Sequence, residues 1–155
     1  MIVEDKDPGA RILQWKRLRR VPYAATLIRR LSEKYRLAVV SGKVEVGEAL
    51  GRVRLREYFD AIITSVDVGC EKPYPKIFKC ALDALGIRPG EAVMIGDRVD
   101  TDICGANGAG ITTVLHRWRN RYRMPICRSL SKPSYSVKSL REVERVLKEI
   151  ESLKG

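Results

Sequence analysis

Short, mostly apolar runs alternate with amphipathic segments along this chain. Brief continuous runs are typical of strands covered on both faces, and they predict strands at 37–40, 61–64, 92–95 and 112–115, with a short edge strand at 135–137. Apolar residues at helical spacing predict helices at 11–20, 22–34, 46–56, 75–85, 101–109 and 139–153. Because strands and helices alternate, we expect one α/β domain over residues 1–155, with helices on both faces of a parallel sheet.

Composition narrows the class of protein. The chain has 155 residues, 45% of them hydrophobic, and no run approaches the roughly 20 apolar residues that a membrane span needs, so no membrane partner is expected. The first residues turn acidic after Met1-Ile2-Val3, unlike a signal peptide. Its four cysteines form no CxxC pair, which favours reduced thiols and a cytoplasmic location. The net charge of +11 favours anionic ligands.

Polar residues follow three of the predicted strands. Ser41-Gly42-Lys43 follows the first strand, Lys72 lies in the loop after the second, and a segment with Asp97 and Asp102 follows the third. In a three-layer, Rossmann-like fold the carboxyl ends of parallel strands meet at one edge, where ligands bind. A hydroxyl, a cation and carboxylates together suit a phosphoryl group with Mg²⁺.

The stretch from Tyr58 to Leu115 resembles the haloacid-dehalogenase-like (HAD) superfamily, especially its first, cap-bearing subfamily. The motifs that carry the resemblance are Glu71-Lys72-Pro73, Ile95-Gly96-Asp97 and the run from Asp102 to Gly110. The resemblance implies a HAD-like core and a Mg²⁺-dependent phosphohydrolase. Such an enzyme acts on a small phosphorylated metabolite through an aspartyl-phosphate.

The resemblance also implies roles for single residues. Ser41, together with Gly42, matches the second-motif hydroxyl that binds the phosphoryl group. Lys72 matches the third-motif lysine, which balances the charge of nucleophile and phosphate. Asp97 matches the metal-binding aspartate of the fourth motif, and Asp102 matches its second acid, acting partly through water or Lys72.

The family's first motif, Asp-x-Asp-x-Thr at the end of a strand, has no good copy here. In one interpretation residues 1–20 hold a degenerate first strand, with Asp5 as nucleophile and Asp7 as general acid and base. In the other, residues 1–20 are the remnant of a cap, and the chain is truncated and lacks the nucleophile. Because that strand is central in the family, residues 1–5, a strand exchanged within a homodimer, or a closing of the sheet should fill its place. Weak or absent hydrolysis is expected.

A second class of function stays open beside the phosphatase. The chain could be a catalytically silent HAD-like binding or regulatory module that uses its basic surface. Nucleic acid is not expected as a partner, because residues 118–123 are the one basic segment with interleaved aromatics. Lys72, Asp97 and Asp102 favour a cation site over a metal-free dehalogenase site.

Overall fold

The computed structural model describes residues 23–117 and 128–154. Its five strands are β1 (Ala38–Ser41), β2 (Ala61–Thr64), β3 (Val93–Gly96), β4 (Thr112–His116) and β5 (Tyr135–Val137). Its α-helices are α1 (Ala24–Ser32), α2 (Val46–Arg52), α3 (Ser65–Val68), α4 (Pro75–Leu85), α5 (Cys104–Gly108) and α6 (Val143–Lys154). Single turns of other helix types lie at Arg56–Tyr58, Pro89–Glu91, Val99–Ile103, Arg128–Leu130 and Leu140–Glu142.

The strands pair in parallel, which confirms the predicted fold class. β1 pairs with β2, from Ala38 opposite Ala61 to Ser41 opposite Thr64. β4 lies between β3 and β5 and is parallel to both. Among the described residues these pairings form two sets, β1–β2 and β3–β4–β5, rather than one continuous ladder. Within each set the carboxyl ends of the strands lie at the same edge, where ligands are expected.

Helices cover the sheets on both faces. Neighbouring strand residues point to opposite sides, so Val39 packs with α1 and α2 while Val40 packs with α4 and α5. In β3, Ile95 joins the cluster formed by α1 and α6, and Met94 joins that of α4 and α5. The result is the expected three-layer arrangement with an apolar core on each side of the strands.

The helix predictions need four corrections. The predicted helix 139–153 starts with the 3₁₀ turn Leu140–Glu142, and the α-helix α6 begins only at Val143. The predicted helix 46–56 ends at Arg52, because Arg54 adopts a left-handed φ of 55°, which a helix cannot continue. The predicted helix 101–109 is a π turn followed by the short α5. The four-residue α3 follows β2 where a loop was expected; it is too short to show helical periodicity. The predicted helix 11–20 and the basic segment 118–123 lie outside the described residues.

Two further observations concern the cysteines and the membrane. Cys70 and Cys80 carry free thiols, as expected. Cys104, which is 2% exposed, is disulfide-bonded, so the expectation of a reduced thiol is wrong there. Disulfide formation depends on proximity in space, which sequence spacing does not report.

Within the described ranges, no helix has the length and apolar character that a membrane span requires.

Candidate active site

Hydrogen bonds join the loops that follow β1, β2 and β3. Lys72, in the loop between α3 and α4, donates from Nζ to the carbonyl oxygen of Val40 at 3.1 Å and to Oδ1 of Asp102 at 2.9 Å. Oδ2 of Asp102 accepts the backbone N–H of Asp97 at 3.2 Å. These contacts lead from the residue before Ser41, through Lys72, to the turn that carries Asp97. The polar loops predicted at this edge of the sheet are therefore in contact.

The pair formed by Lys72 and Asp102 is buried. Their side chains are 7% and 4% exposed, so each charge depends on its partner rather than on water. Oδ2 of Asp102 also accepts the backbone N–H of Arg98 at 3.2 Å. Both carboxylate oxygens of Asp102 thus have protein donors. This geometry supports Asp102 as the residue that holds Lys72 and the turn after β3, and its role as a metal ligand stays a prediction.

Two glycines make room for this pair. A Cβ added to Gly96 would lie 2.4 Å from Cβ of Asp102, so only glycine lets the carboxylate pack over the end of β3. A Cβ added to Gly105 would lie 2.3 Å from Cε2 of Phe78 and 2.9 Å from Cα of Pro73. Gly105 therefore lets α5 approach the loop that carries Lys72. Neither glycine was assigned this role from the sequence, because the close approaches join residues that are not sequence neighbours, and spacing along the chain does not report distances in the fold.

Ser41 ends β1 and is 5% exposed. Its Oγ accepts the backbone N–H of Lys43 at 3.0 Å. A hydroxyl has one donor hydrogen beside its two acceptor lone pairs, so Ser41 Oγ, while accepting from Lys43, still has an O–H to donate. Its role as a hydrogen-bond donor to a phosphoryl oxygen stays a prediction.

Ser65 is a residue at this edge that sequence analysis missed. It begins α3 and donates from Oγ to the carbonyl oxygen of Gly42 at 2.9 Å. The available signal was its position directly after a strand, the same signal that singled out Ser41. The hydrogen bond ties the loop after β1 to the helix after β2.

Asp97 directly follows β3 and is 8% exposed. Burying a carboxylate is costly unless hydrogen bonds, a cation or a metal compensate, and carboxylate oxygens are ligands that Mg²⁺ prefers. The chemistry of Asp97 therefore fits the predicted metal. The described part of the chain contains no group of three or more His, Cys, Asp or Glu side chains that could hold a metal by itself. Further oxygen ligands could come from backbone carbonyls, substrate, water or residues outside the described ranges.

Asp100 is paired with Arg98. The guanidinium Nε of Arg98 donates to Oδ1 of Asp100 at 3.0 Å, and its NH2 group makes a second hydrogen bond to Oδ2. Burial raises the pKa of Asp100, but the hydrogen bonds and charge of Arg98 outweigh it and hold the pKa below its ordinary value. The two-pronged contact therefore keeps Asp100 ionised.

Asp5 and Asp7, the candidates for nucleophile and acid–base residue, lie outside the described residues. Their roles stay predictions.

His116, at the end of β4, is 2% exposed, and burial lowers its pKa, with the charge of Glu142 opposing this shift.

A parallel α/β core with a hydroxyl, a buried lysine and carboxylates beside the ends of its strands is the arrangement that the motifs predicted. Residues 10–116 match the family model described as haloacid dehalogenase-like hydrolase. The chain belongs to this family, as the resemblance in its motifs predicted.

Named relatives agree with the family. The chain is 41% identical over 115 residues to a glyceraldehyde 3-phosphate phosphatase of Methanopyrus kandleri, covering 73% of this chain and 49% of the relative. It is 39% identical over 97 residues to the N-acylneuraminate-9-phosphatase of Mus musculus, covering 62% of this chain and 38% of the relative. This chain therefore spans about half the length, or less, of these curated relatives.

A solved structure shows the same fold. The HAD phosphatase from Thermococcus onnurineus superposes with a TM-score of 0.72 at 31% identity, covering 90% of this chain and 66% of that structure.

Proposed function

We propose that this chain is the core of a Mg²⁺-dependent phosphohydrolase that acts on a small phosphorylated metabolite. The observation that carries the proposal is the buried Lys72–Asp102 pair, which connects the end of the Ser41 strand to the turn of Asp97. The names of the relatives support the substrate class, since both specify a small phosphorylated molecule.

Each described residue would contribute one interaction with the phosphoryl group. Ser41 would donate its hydroxyl, with Gly42 lining the same loop, to a non-bridging oxygen. Lys72, fixed by Asp102, would place a positive charge beside the phosphate and the attacking carboxylate. Phosphoryl transfer depends mainly on positioning and on balancing negative charge, which are the contributions that these groups offer.

Asp97 would hold Mg²⁺, with Asp102 supporting it. The bound ion would supply charge neutralisation at the phosphate oxygens. We expect Asp97→Ala to remove Mg²⁺ binding in a calorimetric titration, whereas Asp83→Ala, which changes an exposed aspartate on α4, should leave it intact. Equal Mg²⁺ affinity in wild type and Asp97→Ala would contradict the metal assignment.

Asp5 is the proposed nucleophile that forms an aspartyl-phosphate, and Asp7 is its proposed acid and base. Asp5→Asn should then abolish turnover while it leaves thermal unfolding unchanged. If an upstream segment carries the nucleophile instead, turnover requires that segment, and Asp5→Asn has no effect. A chain that binds phosphate but hydrolyses nothing, even when the upstream segment is supplied, would favour the catalytically silent binding module.

The deciding experiment combines turnover with binding. Mg²⁺-dependent release of phosphate from glyceraldehyde 3-phosphate, N-acylneuraminate 9-phosphate and p-nitrophenyl phosphate is measured for wild type, Lys72→Ala and the exposed control Lys79→Ala. Inorganic phosphate is titrated into the same proteins. With Lys72→Ala shown by circular dichroism to be folded at the assay temperature, loss of both signals in Lys72→Ala but not in Lys79→Ala supports the proposal. Hydrolysis or phosphate binding that is insensitive to Lys72→Ala refutes it.

Location and assembly are part of the same proposal. A cytoplasmic location is supported by the free thiols of Cys70 and Cys80, although the Cys104 disulfide is a feature that cytoplasmic proteins rarely carry. Cell fractionation tests it. A homodimer, including one formed by strand exchange, stays a prediction that light scattering at several protein concentrations can check.

A further inference from the structure

Ser65 occupies a buried position between two loops of the candidate site. It is 9% exposed, and its Oγ donates to the carbonyl oxygen of Gly42 at 2.9 Å. The partners are 23 residues apart in sequence. This hydrogen bond belongs to none of the four motifs that the resemblance identified.

The frame that holds Ser65 is itself well fixed. Thr64, the last residue of β2, caps α3: its hydroxyl donates to Oδ2 of Asp67 at 2.6 Å and accepts the N–H of Asp67 at 3.3 Å. The Thr64 N–H also donates to Oδ2 of Asp67, at 3.2 Å, which completes a capping box. Gly69 ends the helix with a φ of 68°. Ser65 is thus presented from a short helix capped at its start and ended by a left-handed glycine.

The hydrogen bond acts on the peptide unit between Gly42 and Lys43. That unit contains the carbonyl of Gly42 and the N–H of Lys43, and it is planar because of its partial double bond. Ser65 Oγ binds the carbonyl at 2.9 Å, and Ser41 Oγ accepts the N–H at 3.0 Å. The two serine hydroxyls therefore hold opposite ends of one rigid plane. A rotation of that plane would break both contacts at once.

We propose that Ser65 is a positioning residue that orients the Ser41 hydroxyl through the Gly42–Lys43 peptide. With the peptide fixed, Ser41 accepts the Lys43 N–H, and its own hydrogen is directed away from the backbone and toward the phosphate. Without Ser65 the peptide can turn, and Ser41 loses the contact that selects its donor orientation. This inference rests on the proposed phosphate-binding role of Ser41.

The test measures the affinity for inorganic phosphate in the presence of Mg²⁺ by calorimetry, which requires no turnover. Ser65→Ala should weaken binding roughly 3- to 10-fold, the range expected for one lost hydrogen bond. Ser65→Thr, which keeps the hydroxyl, should restore it. The matched control is Ser32→Ala, which removes a hydroxyl that donates to the Arg29 carbonyl at 2.7 Å on a distant helix, and it should bind like wild type.

A double variant separates positioning from general loosening. If Ser65 acts through Ser41, then Ser41→Ala/Ser65→Ala should bind phosphate no more weakly than Ser41→Ala alone, since the effects of coupled residues do not add. Ser65→Cys, with a weak donor of similar size, replaces Ser65→Ala in both comparisons if the alanine variant does not fold.

The outcomes are distinguishable. Wild-type affinity in Ser65→Ala, or fully additive losses in the double variant, overturns the positioning role while phosphate binding by wild type keeps the proposed function. A wild-type chain that binds no phosphate overturns the proposed function, and the inference about Ser65 with it.

Discussion

Lys72→Met should destabilise the fold strongly, because it removes one partner of a buried ion pair. Methionine keeps most of the length and volume of lysine but has no charge and no donor. The Asp102 side chain, which is 4% exposed, would stay buried. Its remaining hydrogen-bond donors would be the backbone N–H groups of Asp97 and Arg98. The Val40 carbonyl would lose the same donor.

The magnitude follows from the burial. Removing one partner of a buried pair costs about 3–5 kcal/mol, because the other charge is left without compensation. For a domain of this size, about 1 kcal/mol lowers Tm by roughly 2–4 °C, so the expected drop is roughly 6–20 °C. The exposed control Lys79→Met should stay within about 0.5 kcal/mol of wild type.

Urea unfolding measures this loss, and a double-mutant cycle assigns it to the pair. Lys72→Met/Asp102→Asn removes both charges. Its loss in free energy of unfolding should therefore be smaller, by about 0.5–3 kcal/mol, than the sum of the losses in the two single variants. The m values of all variants should agree, so that the midpoints report stability alone. A Lys72→Met protein as stable as Lys79→Met, or a cycle with no coupling, would refute the reasoning.

The remaining predictions concern packing and pH. Gly96→Ala should lower the stability measured by thermal unfolding by about 1–3 kcal/mol, because the new Cβ would lie 2.4 Å from Cβ of Asp102. The control Gly51→Ala, with nothing within 4 Å of the new Cβ, should be neutral or slightly stabilising. Equal effects of the two substitutions would contradict the packing argument. Burial lowers the pKa of His116 below 6.5 in the folded state, so the folded chain holds the imidazole neutral. The stability that this contributes is complete above pH 6.5 and is lost as the pH falls from 6.5 toward the folded pKa, because the unfolded chain then binds the proton first. Urea midpoints measured between about pH 7.5 and pH 5.5 should therefore fall more in wild type than in His116→Gln, and parallel curves would exclude this role.

Much of the fold was predictable from local pattern. The apolar runs place every described strand within one residue of its bounds, since buried parallel strands need continuous apolar residues on both faces. The run 75–85 matches α4, because Pro75 opens it and Gly86, with a φ of 62°, ends it. Patterns failed where single backbone angles decide the outcome: the left-handed Arg54 that ends α2 carries no glycine or proline signal.

The loops of the candidate site were predictable from the sequence, but their contacts were not. Position after a strand singled out Ser41, Lys72 and Asp97, and their loops do lie at one edge. Ser65 was missed because a serine after a strand is common, and only its distance to the Gly42 carbonyl distinguishes it. Sequence likewise gives no account of the space that Gly96 leaves for Asp102.

The two acids after β3 show why contacts matter for the chemistry. A motif with two aspartates assigns both to one metal. In the structure, both carboxylate oxygens of Asp102 accept hydrogen bonds, from Lys72 and from two backbone N–H groups, so its charge is largely balanced within the protein. The protein's own contacts thus link Lys72 to the turn after β3. Phosphate binding and turnover can therefore respond separately to substitution: binding should depend on Ser41, Ser65 and Lys72, whereas turnover also needs a nucleophile.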